Sequence, residues 1–176
     1  TGSALTDVSD VCALDAAFDA KSGTVGVVVV TRRKGMDEVV LALRDSAGKI
    51  TTETVLSKKS EAVGDCRSGY AGARITAAGS DWILGMFQTT SSSNKVEGKV
   101  LVSRVVQGAM KGLKVVGTSI ISDSVNGYKM NPTNALAWRG LSGLVYRPDG
   151  AVTLIVEGLD SATGKPAILV ETLLVK

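Results

Sequence analysis

Histidine is absent from this sequence of 176 residues. Its absence removes the group that most enzymes use for acid–base chemistry near neutral pH, including Ser-His-Asp and Cys-His pairs and the His-Glu-x-x-His zinc motif. Hydrolysis by a pair of carboxylates needs no histidine. We therefore expect a protein without enzymatic activity, with no cofactor and no bound metal, and keep a carboxylate-dependent hydrolase as a minor alternative.

Aromatic residues and prolines are also scarce. Aromatic side chains make up 4% of the sequence, and there are three prolines against 20 glycines. The core therefore has to be built from Val, Leu, Ile and Ala, and the glycines predict many tight turns. A multivalent glycan-binding protein would need an aromatic platform in each repeat, and so few aromatics argue against one.

Neither sign of charge is in large excess. The 20 basic and 17 acidic residues leave a net charge of +3, which is too mild to indicate a nucleic-acid-binding protein. The two basic clusters, residues 32–34 and 58–59, contain no aromatic residue and are predicted to be solvated turns. The longest apolar run, residues 25–30, is far shorter than the roughly 20 residues that cross a bilayer, so we expect no membrane span.

The sequence contains two cysteines, Cys12 and Cys66. A free thiol at Cys66 would be exposed and reactive, because its neighbours are polar and glycine-rich. We favour a Cys12–Cys66 disulfide, which would contribute about 4 kcal/mol in the chain-entropy model, over two buried thiols. Such a bond forms outside the reducing cytosol, so we expect an extracytoplasmic or secreted protein.

Short β-branched runs separated by glycine-containing turns recur along the chain. They predict a single all-β domain over residues 4–176, either an antiparallel sandwich or a set of propeller-like meander repeats. The clearest signal is the closing hairpin, with strands at 151–160 and 167–175. Residues 1–3 resemble a cleavage scar from recombinant expression. Residues 4–20 carry apolar side chains at helical spacing and predict a short N-terminal helix or arm, with a loose strand as the alternative.

Three segments, residues 24–57, 73–122 and 143–175, follow a similar order of strands and Gly-Lys turns. Their spacing is typical of propeller blades, although any antiparallel meander uses such turns. Three blades do not close a ring, so a propeller would need a partner chain or further sequence. Residues 101–116 also fit a helix, but Gly108 and Gly112 would each weaken it by about 1 kcal/mol relative to Ala. We favour two strands there.

Residues 123–140 are the longest stretch without a strand pattern. Long irregular loops in compact domains are often functional, and Trp, Tyr and Arg dominate binding interfaces. The candidate binding residues are therefore Tyr128, Asn131, Asn134, Trp138 and Arg139. The alternative for Trp138 is a plug at one end of the domain. Trp82 opens an apolar strand and is predicted to lie in the core.

Two segments suggest chemistry. Glu157 and Glu171 would suit a hydrolase if they faced each other across the closing hairpin, whereas an exposed pair on the solvent face is the alternative. Residues 158–165 resemble a phosphate-binding loop. However, five residues separate the two glycines instead of four, and Pro166 follows the lysine, so we interpret this segment as a hairpin turn.

Together these patterns predict a non-catalytic extracytoplasmic binding or adhesion module that recognises a protein or a glycan through the 123–140 loop. The second hypothesis is a structural subunit, such as a coat protein, a fibre protein or half of a composite propeller. Such a subunit would form a homo-oligomer through its sheet edges.

Overall fold

The computed structural model describes residues 10–33, 36–59, 69–92, 95–123, 136–160, 163 and 165–174. This part of the chain contains eleven β-strands and no helix, as expected for the predicted all-β class. The strands are β1 (Asp10–Asp19), β2 (Thr24–Arg33), β3 (Met36–Arg44), β4 (Ile50–Lys59), β5 (Gly69–Ala78), β6 (Asp81–Ser92), β7 (Lys95–Val106), β8 (Ala109–Asp123), β9 (Leu136–Tyr146), β10 (Ala151–Asp160) and β11 (Pro166–Leu174).

The strands form three antiparallel sheets, each a meander in which neighbours along the chain are neighbours in the sheet. Sheet A contains β1–β4, sheet B contains β5–β8, and sheet C contains β9–β11. The segments 24–57, 73–122 and 143–175 each lie within a different sheet. That the three segments are copies of one repeat stays a prediction.

The predicted N-terminal helix is wrong for the described residues, because residues 10–19 form strand β1 and pair with β2. Side chains along β1 alternate: Ala13 and Ala17 pack against the core, whereas Leu14 and Phe18 are exposed. The apolar positions in this segment fit a period of two as well as a period of 3.6. The aspartates lower the helix propensity, so pairing with the β-branched strand β2 prevails.

The preference for two strands over residues 101–116 is confirmed. Strands β7 and β8 meet at Gln107 and Gly108, which both have positive φ, 49° and 77°. Two central residues with positive φ are the conformation of the tight hairpin turn that matches the twist of the flanking strands. The turn therefore has two central residues, with Val106 paired to Ala109.

Sheet B lies between sheets A and C and buries both of its faces. Trp82, Leu84 and Met86 of β6 pack against sheet A, whereas the alternate residues Ile83 and Phe87 pack against sheet C. A strand that is apolar on both faces is typical of such a central layer. Trp82 is thereby confirmed as a core residue, with 7% of its surface exposed.

Two polar contacts fix how the sheets lie relative to one another. An Asp15 carboxylate oxygen on β1 accepts a hydrogen bond from the Ile75 backbone N–H on β5, at 3.0 Å. The Arg74 Nε–H on β5 donates to the Ser142 carbonyl on β9, also at 3.0 Å. The first strands of the three sheets therefore lie side by side.

Candidate functional site: the outer faces of sheets A and C

The loop predicted as the binding site falls largely outside the described residues. Tyr128, Asn131 and Asn134 are among the residues that the structure does not describe. The backbone at Trp138 and Arg139 belongs to strand β9, where Trp138 pairs with Gly158 beside a register shift. The end of the predicted loop is thus a strand, and recognition by these five residues stays a prediction.

The outer face of sheet A, the one turned away from sheet B, is apolar where β1 pairs with β2, and it carries the ion pairs of Arg33 toward β4. On β1 it presents Leu14 and Phe18, which are 60% and 61% exposed, and Val11 at 57%. The strand register places Leu14 opposite Val29, and Phe18 opposite Val25. Water-exposed apolar side chains that continue across neighbouring strands are typical of an interaction surface.

A hollow of about 700 Å³ lies on this outer face. Small and medium apolar side chains line it, among them Ala16, Val27, Val29 and Ala42, with Leu14 and Arg44 also contributing. Val29 and Ala42 are almost inaccessible to water, whereas Leu14 is exposed. The hollow is therefore a mostly apolar depression to which Asp15 and Arg44 also contribute, and it offers shape and apolar area.

One carboxylate near this face has a shifted pKa. A hydrogen bond from the Ser22 hydroxyl, assisted by the Lys21 backbone N–H, holds the pKa of Asp19 below its usual value. Both donors stabilise the charged form. Asp19 ends β1 directly after Phe18, so the apolar face has a carboxylate at its edge that stays ionised.

The outer face of sheet C carries a second apolar surface. Val145 on β9 and Ile168 and Val170 on β11 are 51–69% exposed. Between them Ile155 lies directly over Gly143, where an added Cβ would come within 2.8 Å of the Ile155 Cδ1 atom. Ile155 therefore occupies the space that a side chain at residue 143 would take.

The carboxylate pair of the hydrolase alternative is not brought together. In the closing hairpin Glu157 lies opposite Ile168, and Glu171 lies opposite Leu154. Positions 154 and 157 are an odd number of residues apart on one strand, so their side chains point to opposite faces of the sheet. The expectation that the two glutamates face each other is therefore wrong.

The basic cluster at 32–34 was predicted to be a solvated turn, and this is wrong for both described arginines. Arg32 pairs with Asp37 at 3.0 Å, and the two side chains are 11% and 1% exposed. Arg33 binds Glu53 at 2.7 Å and lies 3.9 Å from Glu38. Strand β2 extends through residue 33, so both arginines enter the sheet, where carboxylates of β3 and β4 neutralise them. Lys34 lies outside the described residues.

A second cleft, of about 530 Å³, separates β4 from the turn between β7 and β8. Its lining includes the hydroxyl groups of Thr52, Thr54 and Ser80 and the carboxylate of Asp81. Arg104 binds that carboxylate at 2.7 Å. The arginine neutralises the acid, so this cleft presents hydrogen-bonding groups without a second carboxylate for catalysis.

Other features bear on function only for the described residues. Among them, no group of three or more His, Cys, Asp or Glu side chains is placed to hold a metal ion. No helix in the described segments is long and apolar enough to cross a membrane. Cys12 is half-buried against the core between sheets A and B and carries no free thiol. Cys66 lies outside the described residues, so its bond to Cys12 stays a prediction.

A comparison of the sequence with protein families and with curated proteins found no match. The candidate surface therefore follows from the fold. Sequence reasoning missed it, although a signal was present: Leu14 and Phe18, and likewise Ile168 and Val170, sit on strands whose other face also contributes apolar side chains to the core, such as Ala17 and Leu173. A strand apolar on both faces indicates burial on both sides, and only one side is covered here by a neighbouring sheet.

Proposed function

We propose that this protein is a non-catalytic, extracytoplasmic interaction module that binds a protein partner through the outer faces of sheets A and C. The observation that carries the proposal is the exposure of large apolar side chains on both faces: Leu14 and Phe18 on one, Ile168 and Val170 on the other. Soluble proteins seldom leave contiguous apolar patches uncovered unless they serve as interfaces. The absence of histidine and the separation of Glu157 from Glu171 favour binding over hydrolysis.

The surface differs from the one in the second sequence hypothesis, which placed assembly at sheet edges. Pairing at an edge uses backbone hydrogen bonds, whereas binding at a face uses apolar side chains. The extracytoplasmic location belongs to the same proposal and depends on the Cys12–Cys66 disulfide.

The test compares serine substitutions on the two faces with one in the core. Phe18→Ser and Ile168→Ser remove exposed apolar groups, so each should change the free energy of unfolding of the isolated chain by less than about 1 kcal/mol. Leu154→Ser is the matched control, because Leu154 is fully buried, and it should cost about 3 kcal/mol or more. Urea-induced unfolding at low protein concentration measures these differences.

Binding is measured on the same variants. Sedimentation velocity, with the chain alone at micromolar concentration and in extract of its native source, should show an assembly that Phe18→Ser and Ile168→Ser abolish. If either variant destabilises the chain as much as Leu154→Ser does, that face belongs to the folded interior and the proposal fails. It also fails if both variants assemble like the wild type.

A further inference from the structure

We infer that the partner is a second copy of this chain, with the outer face of sheet C of each copy packed on the outer face of sheet A of the other. Two copies then close a two-fold ring of six sheets. This inference rests on the proposed function and adds the identity and the geometry of the partner. Three observations carry it: a stacking step used twice within the chain, apolar side chains exposed on both outer faces, and the number of sheets needed for closure.

The same stacking step relates sheet A to sheet B and sheet B to sheet C. In both steps a side chain bridges the first strands of two sheets: Asp15 reaches the backbone of Ile75, and Arg74 reaches the backbone of Ser142. Both steps bring the first strands side by side and bury the facing apolar side chains. A third step of this kind places the first strand of another sheet A beside β9. The faces that would meet are the two outer faces.

The two outer faces carry apolar side chains that such a step would bury. Gly143, Ile155 and Val170 form one row across sheet C, and Val170 is exposed. On β1 of sheet A the outward side chains on either side of residue 15 are Leu14 and Ala16, which line the hollow. Facing side chains of packed sheets interdigitate. The outward side chains of sheet C in one copy would therefore cover the hollow in the other copy.

Pairing of like faces does not repeat the stacking step, because within the chain each step continues from the opposite face of the preceding sheet. Contact between unlike faces is heterologous, and such an interface forms a ring when its rotation closes. The described residues of each copy form three sheets. Two copies supply six, which lies within the range of about four to eight sheets found in closed β-propeller rings.

The experiment places one lysine on each face. Ala16→Lys introduces a charge beside the hollow of sheet A, and Val170→Lys introduces one on the outer face of sheet C. Both positions are exposed, so both variants should fold, as checked by circular dichroism and urea unfolding. Ala47→Lys is the matched control, because Ala47 is an exposed turn residue that does not line the hollow. Sedimentation equilibrium over nanomolar to micromolar concentrations measures the dimer dissociation constant.

The wild type and Ala47→Lys should be dimers of equal affinity. Ala16→Lys and Val170→Lys should each weaken dimerisation by about 30-fold or more, since each disturbs both copies of the interface. An equimolar mixture of the two lysine variants should recover dimers that neither variant forms alone, because one undamaged contact between unlike faces remains in the mixed pair. A Phe18→Ser variant, which adds no charge, should weaken dimerisation in the same direction.

Three results would overturn the inference, and they differ from failure of the proposed function. A dimer retained by Val170→Lys would show pairing of two sheet A faces, and one retained by Ala16→Lys would show pairing of two sheet C faces. A monomeric wild type that still binds another protein in extract would overturn the second copy as partner and leave the interaction module standing. Core-like destabilisation by the face substitutions would overturn both.

Discussion

At the scale of single residues, the most informative group is the ion pair of Arg32 and Asp37. Both side chains lie in a hairpin of sheet A and are largely withdrawn from water. Withdrawing two charges is costly, and their mutual attraction offsets the cost only while both are present. One Asp37 oxygen, Oδ2, accepts no hydrogen bond among the described residues, so the compensation is incomplete.

We predict that Asp37→Ala lowers the free energy of unfolding by about 3–5 kcal/mol, because it leaves the Arg32 guanidinium with little access to water. Replacing the pair by apolar side chains, Arg32→Met with Asp37→Leu, should restore stability to within about 1 kcal/mol of the wild type or above it. Urea-induced unfolding measures both differences.

Arg147 and Asp149 supply the control for this prediction, since their side chains are 48% and 54% exposed. Arg147→Ala should cost no more than about 1 kcal/mol, as is usual for surface pairs. If Asp37→Ala costs no more than Arg147→Ala, the ion pair in sheet A is not a buried pair in solution.

Gly26 is the second position where a single-residue change is expected to alter stability, because the residue has no Cβ atom. A Cβ atom there would lie 2.7 Å from the Trp82 ring, so the indole can pack on sheet A only because residue 26 has no side chain. We predict that Gly26→Ala destabilises the protein by about 1–3 kcal/mol. Gly72→Ala is the control: its Cβ would meet the Phe87 Cβ at an ordinary 3.5 Å, and thermal and urea unfolding should shift little. Equal effects of the two substitutions would contradict the assigned packing.

These residues also mark the limit of prediction from the sequence. The burial of Trp82 followed from its apolar strand, but its glycine partner 56 positions earlier depends on how two sheets face each other. From the sequence alone, the arginines at 32 and 33 are predicted to be exposed charges. Only the fold shows that carboxylates of β3 and β4 lie beside them. The local sequence pattern predicts the burial of a side chain well. It predicts less well which other residue that side chain contacts.

At the scale of elements, most strands follow from β-branched runs bounded by glycine turns, because those signals are local. The segment at residues 10–19 was misjudged since short runs of Ala, Leu and Asp satisfy two periods at once. The outer faces of sheets A and C were missed for a different reason. A polar loop with Trp and Tyr is visible in sequence, whereas an uncovered sheet face becomes visible only when its neighbouring layers are known.

The turn between β7 and β8 supports a prediction of increased stability. Gln107 adopts a positive φ of 49°. This backbone conformation is higher in free energy for glutamine than for asparagine or glycine. Gln107→Asn creates the Asn-Gly dipeptide favoured in such turns and should raise the free energy of unfolding by several tenths to about 1 kcal/mol. Gln107→Val is the opposing variant and should lower it. If urea unfolding shows that the Gln107→Val variant is as stable as the Gln107→Asn variant or more stable, the assigned turn is contradicted.

At the scale of the whole molecule, the Cys12–Cys66 bond is the feature with the largest consequence. Cys12 lies on the first strand of sheet A, and Cys66 precedes the first strand of sheet B. A bond between them would restrain the connection of two layers and stabilise the fold by about 4 kcal/mol. Cys66→Ser is the informative variant, because it removes the bond and keeps the packing of Cys12 against the core. We predict a loss of about 2–5 kcal/mol in urea unfolding.

Thiol titration checks the bond itself. Under denaturing, non-reducing conditions the wild type should show no reactive thiol, and after reduction it should show two. Two reactive thiols without reduction would contradict the bond and remove the support for an extracytoplasmic location. The six-sheet dimer would stand, since Leu14, Ala16 and Val170 carry it without either cysteine. Titration of the thiols and the mass of the assembly therefore test two separate properties of the molecule: where it acts and what its outer faces bind.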